Sequence, residues 1–367
     1  MKILRPTYAE INLKNIVYNV NILKNFLDKS TDILAVIKAD AYGHGAIKVA
    51  KTLENTSVKM FGVATIEEGI ELRDAGIKKD VLILGSTFPL QNFKEIINYN
   101  LKPTIASISG LVTLNKYAAH ANKKVPFHLK IDTGMGRIGI KPHTVDFLQR
   151  RIKNLKNVSM EGIYSHIACA CEDNYFTKQQ IYDFKNLTSI INTKYSHISA
   201  SASILKYINS HFNLVRPGLL LYGLLPFDYS DKILLTKPAL TLKSKIVFLK
   251  TVSKNTPISY GRTFITKRQS KIATIPIGYA DGFFRYNSNN AEVIINNTRA
   301  PIIGRVCMDM TMVDVTKIKN VSVGNEVVII GSQGKEKISA EEVASRCGTI
   351  NYEVVTSISK RVPRLYI

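Results

Sequence analysis

The sequence predicts an amino-terminal (β/α)8 barrel followed by a carboxy-terminal β-rich domain. Two observations carry this expectation. Eight short apolar runs of strand length alternate with segments whose apolar residues recur at helical spacing. Near Leu234–Pro238 the alternation stops and gives way to consecutive strands. The barrel is expected over 1–235 and the β-rich domain over 236–367, with the first strand, about 1–12, free to pack with the second domain.

Taken in order, TYAEIN (7–12) reads as a short alternating strand. Leu13–Leu27 follows, with Ile16, Val17, Val20, Leu23 and Leu27 at helical spacing. The barrel runs are Ile33–Ile37, Met60–Val63, Val81–Leu84, Lys102–Ile105, Phe127–Ile131, Val158–Ile163, Tyr195–Ile198 and Leu214–Arg216. Helix patterns between them include Thr65–Asp74, Pro89–Tyr99 and Phe176–Ile191. From Ala239 the chain reads as strands, in TLKSKIVFLKTV, KIATIPIGYA, AEVIIN and NEVVIIG, with a turn at Asn296–Asn297 and one helix near Ser339–Arg346.

The stretch around which the barrel is organised is Ile33–Gly45, ILAVIKADAYGHG. A buried parallel strand ends in Lys38, then small residues, Tyr42 and two glycines lead into a helix pattern near Ala46. Barrel enzymes keep their chemistry at the C-terminal ends of the strands. A partly desolvated lysine there has a lowered pKa and becomes a nucleophile toward carbonyls. Other polar residues fall on the same rim. Asp132 and Arg137 follow the fifth barrel strand, His166 the sixth, Ser201 the seventh, and Arg216 and Gly218 the eighth. Phosphate sites in such barrels use the loops after strands seven and eight. There Ser201 offers a hydroxyl, and Gly218 and Leu219 offer backbone N–H groups. Lys130 shares a strand face with His128 and Asp132, and Asp132 is its expected structural partner, because a buried amine is costly unless paired.

Several of these stretches resemble the alanine racemase family. AVIKADAYGHG is similar to its pyridoxal-phosphate attachment motif, and HLKIDTGMGRIG (128–139), RPGLLLYG (216–223), SYGRTF (259–264), PIGYADG (276–282), GRVCMDM (304–310) and INYEVVTSISKRVPR (350–364) follow in the family's order. The resemblance therefore spans the chain. It implies an alanine racemase dependent on pyridoxal 5'-phosphate, with Lys38 holding the cofactor as a Schiff base and acting as one acid/base. Tyr260 would be the second, reaching across a homodimer. Met308 would give a backbone amide to the substrate carboxylate, and Arg137 would contact cofactor and substrate. Arg216 would face the pyridine nitrogen, and Tyr352 and Tyr42 would stand on the phosphate side. Tyr279 and Arg305 would line the access corridor. The lysine matching Lys130 is often carbamylated in the family and hydrogen-bonds the arginine matching Arg137. The product, D-alanine, would supply peptidoglycan. Two departures bear on substrate range and cofactor affinity: Ala200 stands where the family usually has asparagine, and Cys171, beside Glu172, where it has an acid.

Composition removes other classes. The chain has 367 residues, 45% of them hydrophobic, with no apolar run near bilayer length and no signal-peptide pattern, so a soluble, cytoplasmic protein is expected. Four cysteines in this length make no disulfide framework, and Cys169 and Cys171 near His166 lack the paired spacing of a zinc site; no metal is expected. The net charge of +22 is spread without a basic block or nucleic-acid motif, so it points to no specific nucleic-acid partner. Three rivals remain close by. A broader-specificity amino-acid racemase keeps every residue above. A basic-amino-acid decarboxylase is similar in architecture but carries an acid where Arg216 stands. A barrel-only cofactor carrier would lack SYG and CMDM.

Overall fold

The computed structural model describes residues 4–226 and 234–367 and divides into two compact units. One contains the N-terminal residues to Asn15, Tyr42–Gly45 and Pro238–Ile367; the other contains Ile16–Ala41 and Ala46–Lys237.

The first strand, β1 (Tyr8–Ile11), belongs to the former unit. The next eight are β2 (Asp32–Val36), β3 (Val58–Val63), β4 (Asp80–Ser86), β5 (Lys102–Ile105), β6 (Val125–Lys130), β7 (Val158–Tyr164), β8 (Tyr195–His197) and β9 (Leu214–Val215). They form one parallel sheet in chain order, except that β9 returns to pair with β2. The ring is drawn together by a bridge between Ala200 and Arg216, with the Arg216 N–H donating to the Ser199 carbonyl at 3.0 Å. This is the expected barrel. Its strands are short and β-branched because both faces are covered, so the apolar runs need no alternation. Each is followed by helix. Ile66–Asp74, for example, starts where Thr65 accepts the Glu68 N–H and stops where Ala75 caps it.

The barrel interior is more polar than the apolar runs suggest. Thr104, His128, Tyr164, His197 and Arg216 are all buried, and pairing sets Thr104 opposite His128, Lys130 opposite Tyr164, and Tyr164 opposite His197. Gly162 makes room for this layer: a Cβ there would lie 2.6 Å from Nδ1 of His128.

In the other unit, β1 pairs antiparallel with β10 (Leu240–Lys245) and parallel with the last strand, Arg364–Tyr366. The stretch expected as one strand, TLKSKIVFLKTV, is two. The break falls at Ile246–Val247, where the Ile246 N–H donates to Asn325 and the Val247 N–H to Thr274, so the backbone changes sheets. The strand Ser270–Ile275 ends at Pro276, which has no N–H to continue the ladder. Asn296 and Asn297, both at positive φ, form the two-residue turn between strands Glu292–Ile295 and Thr298–Pro301. Arg5 pins the loop after Pro276 with two hydrogen bonds to the buried Asp281 carboxylate, at 2.5 and 2.6 Å. Among the described residues no helix is long and apolar enough to cross a membrane.

Candidate active site

Lys38 follows β2 after one residue, Ile37. The chain then makes a single left-handed turn: Ala39, Asp40, Ala41 and Tyr42 have φ of 51, 52, 54 and 54°. The sequence suggested a turn on the two glycines, yet it begins on non-glycine residues, at roughly 1–2 kcal/mol each. Gly43 is needed for close approach rather than for the turn's start, since a Cβ would lie 2.3 Å from the Val355 carbonyl oxygen. Backbone clamps hold the turn. The Asp40 carboxylate accepts the Ala46 N–H at 2.7 Å, and the Glu68 carboxylate accepts the Ala39 N–H at 2.6 Å. Burial lowers the Lys38 pKa, the charge of Arg137 lowers it further, Glu68 opposes this, and Arg216 adds to the lowering.

Arg216 is buried at the end of β9. Its Nη1 donates to Nδ1 of His197 at 2.8 Å; its Nη2 donates to the carbonyls of Ser165 and Ile198 at 2.8 and 2.9 Å and reaches Nδ1 of His166 at 3.2 Å. The guanidinium lies over the Tyr164 ring, whose hydroxyl is held by Thr104 at 2.7 Å. Burial brings the Arg216 pKa down to about 10, against the effect of Tyr164 and with that of Arg137, so the group stays a cation at neutral pH. Burial raises the Tyr164 pKa to about 12.

Because arginine only donates, it fixes its neighbours' tautomers. Nδ1 of His197 must be the acceptor, so its Nε2–H donates to Nδ1 of His128 at 2.8 Å. His128 then carries its proton on Nε2, which faces the Glu161 carboxylate at 3.7 Å. Burial works against the Glu161 anion, but His128 and Lys102 outweigh it and hold its pKa near about 2; Lys102 bonds Glu161 directly and pairs with Asp80 at 2.8 Å. The donors therefore run one way, from Arg216 through His197 to His128, whose Nε2 makes no hydrogen bond among the described residues and faces the Glu161 anion. Burial pushes His197 and His166 well below the usual histidine range, with the Arg216 charge next in both cases, and burial lowers His128 too.

The remaining barrel residues fall on the same rim. The Ser201 hydroxyl is buried and accepts the Gly218 N–H at 3.0 Å and, more weakly, the Leu220 N–H at 3.4 Å; Leu219 is buried beside them. Arg137 is exposed on the turn after β6. One expectation is overturned here. Asp132 does not pair with Lys130: its carboxylate accepts the Gly134 and Gly136 N–H groups at 3.1 and 2.9 Å and binds Lys141 at 3.0 Å. The chain reverses after Ile131 and turns Asp132 toward its own loop. Among the described residues no carboxylate stands within ion-pair distance of the Lys130 amine, which lies 4.5 Å from the Tyr164 ring centre. Burial pushes that amine's pKa well down, and Arg216 and Arg137 push it further.

The other unit gathers a second group. Tyr260 stands at the tip of a hairpin between Pro257–Ile258 and Phe264–Ile265, is 71% exposed, and is flanked by Ser259, Gly261 and Arg262 at positive φ. Ser259 Oγ donates to the Arg305 carbonyl at 2.6 Å, and the Arg305 guanidinium packs on Gly261. Tyr279 and Ala280 donate their N–H groups to the carbonyls of Cys307 and Met308, both at 3.1 Å. Tyr260, Tyr279, Arg305 and Met308 thus form one cluster, with Met308 and Tyr279 exposed. Tyr42 and Tyr352 pair separately, with ring centres 6.0 Å apart; burial, then Tyr352, raises the Tyr42 pKa. The four cysteines are free, and among the described residues no three His, Cys, Asp or Glu side chains are grouped to hold a metal.

The family model described as "Alanine racemase, N-terminal domain" matches residues 11–226, and "Alanine racemase, C-terminal domain" matches 239–366. The chain belongs to the alanine racemase family. The alanine racemase of Halothermothrix orenii is 45% identical over 372 residues, covering 100% of this chain and 98% of that protein. The solved alanine racemase of Clostridium difficile 630 superposes with a TM-score of 0.94 at 40% identity, covering 100% of this chain and 97% of that one. The alanine racemase of Bartonella henselae, solved with covalently bound pyridoxal phosphate, gives 0.89 at 29% identity, covering 99% of each chain.

Sequence reasoning did not single out His128, Tyr164, His197, Glu161 or Glu68. The available signal for three of them was polar residues inside otherwise apolar strand runs, in FHLK, GIYSH and YSHI.

Proposed function

We propose that the chain is a pyridoxal-phosphate-dependent racemase that interconverts L- and D-alanine, works in the cytoplasm as a homodimer with shared sites, and supplies D-alanine for peptidoglycan. The observation that carries the reading is the joint placement, on one barrel rim, of a lysine of lowered pKa and a buried arginine that can only donate. The donor set fits the cofactor's parts. An aldehyde needs an unprotonated amine, which Lys38 supplies more readily than an ordinary lysine. A pyridine nitrogen that is not protonated needs a donor, which Arg216 provides. A phosphate needs a hydroxyl and backbone N–H groups, which Ser201, Gly218 and Leu219 would offer once the Gly218 N–H leaves the Ser201 hydroxyl, and the family resemblance assigns Tyr42 and Tyr352 as further hydroxyls. When bound, the cofactor supplies electron withdrawal that makes the α-hydrogen of an amino acid acidic.

The residues then divide the work. Lys38 takes or gives the proton on one face of the α-carbon, and Tyr260 of a second copy does so on the other. Two opposed groups invert the centre without the substrate turning over. Arg137 and, from the second copy, the Met308 backbone N–H hold the substrate carboxylate, and Tyr279 and Arg305 control access. His166, kept neutral by burial and by Arg216, braces the guanidinium. Lys130, without a carboxylate partner, is suited as a neutral amine to add carbon dioxide and present the resulting anion to Arg137. The test is to assay enantiopure amino acids in both directions, with and without added cofactor. Cofactor-dependent formation of D-alanine from L-alanine and of L-alanine from D-alanine supports the reading. Loss of carbon dioxide from basic amino acids, with alanine untouched, overturns it.

A further inference from the structure

Glu68 lies in the first turn of the helix Ile66–Asp74, where acids commonly complete a capping box. Its geometry goes beyond that. In a capping box the acid binds the N-cap N–H, and here that contact, from the Thr65 N–H to Oε2, is the longest at 3.4 Å. The short bonds leave the box. Oε1 accepts the Ala39 N–H at 2.6 Å, and Oε2 accepts the Ala64 N–H at 2.6 Å. One carboxylate therefore ties the backbone just after β2 to the backbone just after β3, at the barrel rim. The Ala39 N–H is the donor directly following Lys38, at the entrance to the left-handed turn, and the Ile37 N–H before it already donates to Gly62. Among the described residues, the charged and titratable groups that face the Lys38 amine are Arg137 from the turn after β6, Arg216 at the end of β9, the neutral His166 from the segment after β7, and Glu68. All but Glu68 are cationic or neutral.

We propose that Glu68 is the positioning residue of Lys38: its carboxylate fixes the backbone from which the amine projects, and supplies the negative charge that offsets Arg137 and Arg216. The inference rests on Lys38 carrying the reaction. Glutamine at this position keeps one acceptor, loses the other to an NH2 group and removes the charge. Aspartate keeps the charge but is one methylene too short to span both N–H groups.

The experiment follows acetic anhydride labelling of Lys38 by mass spectrometry against pH, in the full chain freed of cofactor, alongside alanine turnover of the loaded enzyme. In Glu68→Gln the Lys38 labelling midpoint should move down by about one pH unit, and kcat should fall about tenfold or more with KM nearly unchanged. Glu68→Asp should leave the midpoint in place while kcat falls, which separates charge from position. Thr65→Ala removes the helix cap alone and should lower the melting temperature without moving the midpoint. If Glu68→Gln lowers the melting temperature and leaves both the midpoint and kcat at wild-type values, Glu68 is only a cap. If Glu68→Gln does not fold, Glu68→Asp with unaltered kcat overturns the positioning role. Lys38→Ala separates this inference from the reading beneath it: turnover retained there removes Lys38 from the reaction, whereas a dead Lys38→Ala beside an indifferent Glu68→Gln defeats the Glu68 role alone.

Discussion

Acidification should loosen the barrel before any carboxylate titrates, and the buried histidines set the size of the effect. His128 and His197 are fully buried, and burial lowers both pKa values from the ordinary value. In the unfolded chain each takes up a proton near pH ~6.5, and in the folded chain burial moves that uptake to lower pH. The unfolded state then binds more protons, so stability rises with pH and falls on acidification through that value. Between about pH 7.5 and 5.5 a histidine that stays neutral in the fold costs about 1.4 kcal/mol. With 367 residues and an unfolding entropy of about 2.1 cal/mol/K per residue, each such histidine lowers the melting temperature by roughly 2 °C. Asp132 and Glu161 have pKa values of about 2, so their share of stability is lost as pH falls through the ordinary carboxylate range toward about 2, below this window. The assay is thermal unfolding across the pH series for wild type and His197→Asn, which keeps an acceptor for Arg216 and cannot titrate. The variant's loss over the window should be smaller by about 1.4 kcal/mol, or roughly 2 °C. Equal losses in the two proteins would mean that His197 takes up its proton alike in the folded and unfolded chains. The one-way donor chain from Arg216 would then be wrong.

Other outcomes follow from the same side chains. Tyr260→Phe should cripple racemisation yet leave Lys38 able to exchange the α-hydrogen of one enantiomer with solvent deuterium; equal residual exchange from both enantiomers argues against a one-face role. Mixing inactive Lys38→Ala and Tyr260→Phe chains should restore some activity, because one site of the mixed dimer regains both groups, and no recovery after proven subunit exchange puts both groups on one chain. Arg216→Glu, once cofactor occupancy is verified, should give a long-wavelength absorbance with alanine, slower racemisation and more transamination per turnover, and the absence of both band and side reaction removes Arg216 from control of the ring. Carbon-13-labelled carbon dioxide should give a carbamate resonance that Lys130→Met abolishes; a resonance that survives the substitution lies elsewhere.

The barrel was legible because a strand covered on both faces writes itself as a short apolar run, and the run lengths at Ile33–Ile37 and Lys102–Ile105 nearly coincide with β2 and β5. Change of partner was not legible. Nothing in TLKSKIVFLKTV distinguishes a strand that stays in one sheet from one that leaves it at Ile246, since both alternate alike. The rim residues were found because chemistry at strand ends is a property of the fold, but their pairings were not. Asp132 looked like the partner of Lys130 from period-two spacing, and spacing says nothing about a chain that reverses at Ile131 and folds its carboxylate onto Gly134 and Gly136.

The interior relay was the least visible part, because it joins β6, β7, β8 and β9 through single histidines that each look like ordinary core residues. What makes the relay one object is a property of Arg216 that no alternation pattern encodes. A group with no acceptor must be met by lone pairs, so it dictates the proton position on His197, and His197 dictates the next. An ionised carboxylate in place of Arg216 could only accept, and would demand the opposite tautomer, with the proton on Nδ1 of His197. The residue type at that one position therefore orders the polarity of the barrel interior as far as His128, and leaves the guanidinium a donor wherever it meets a ligand at the mouth.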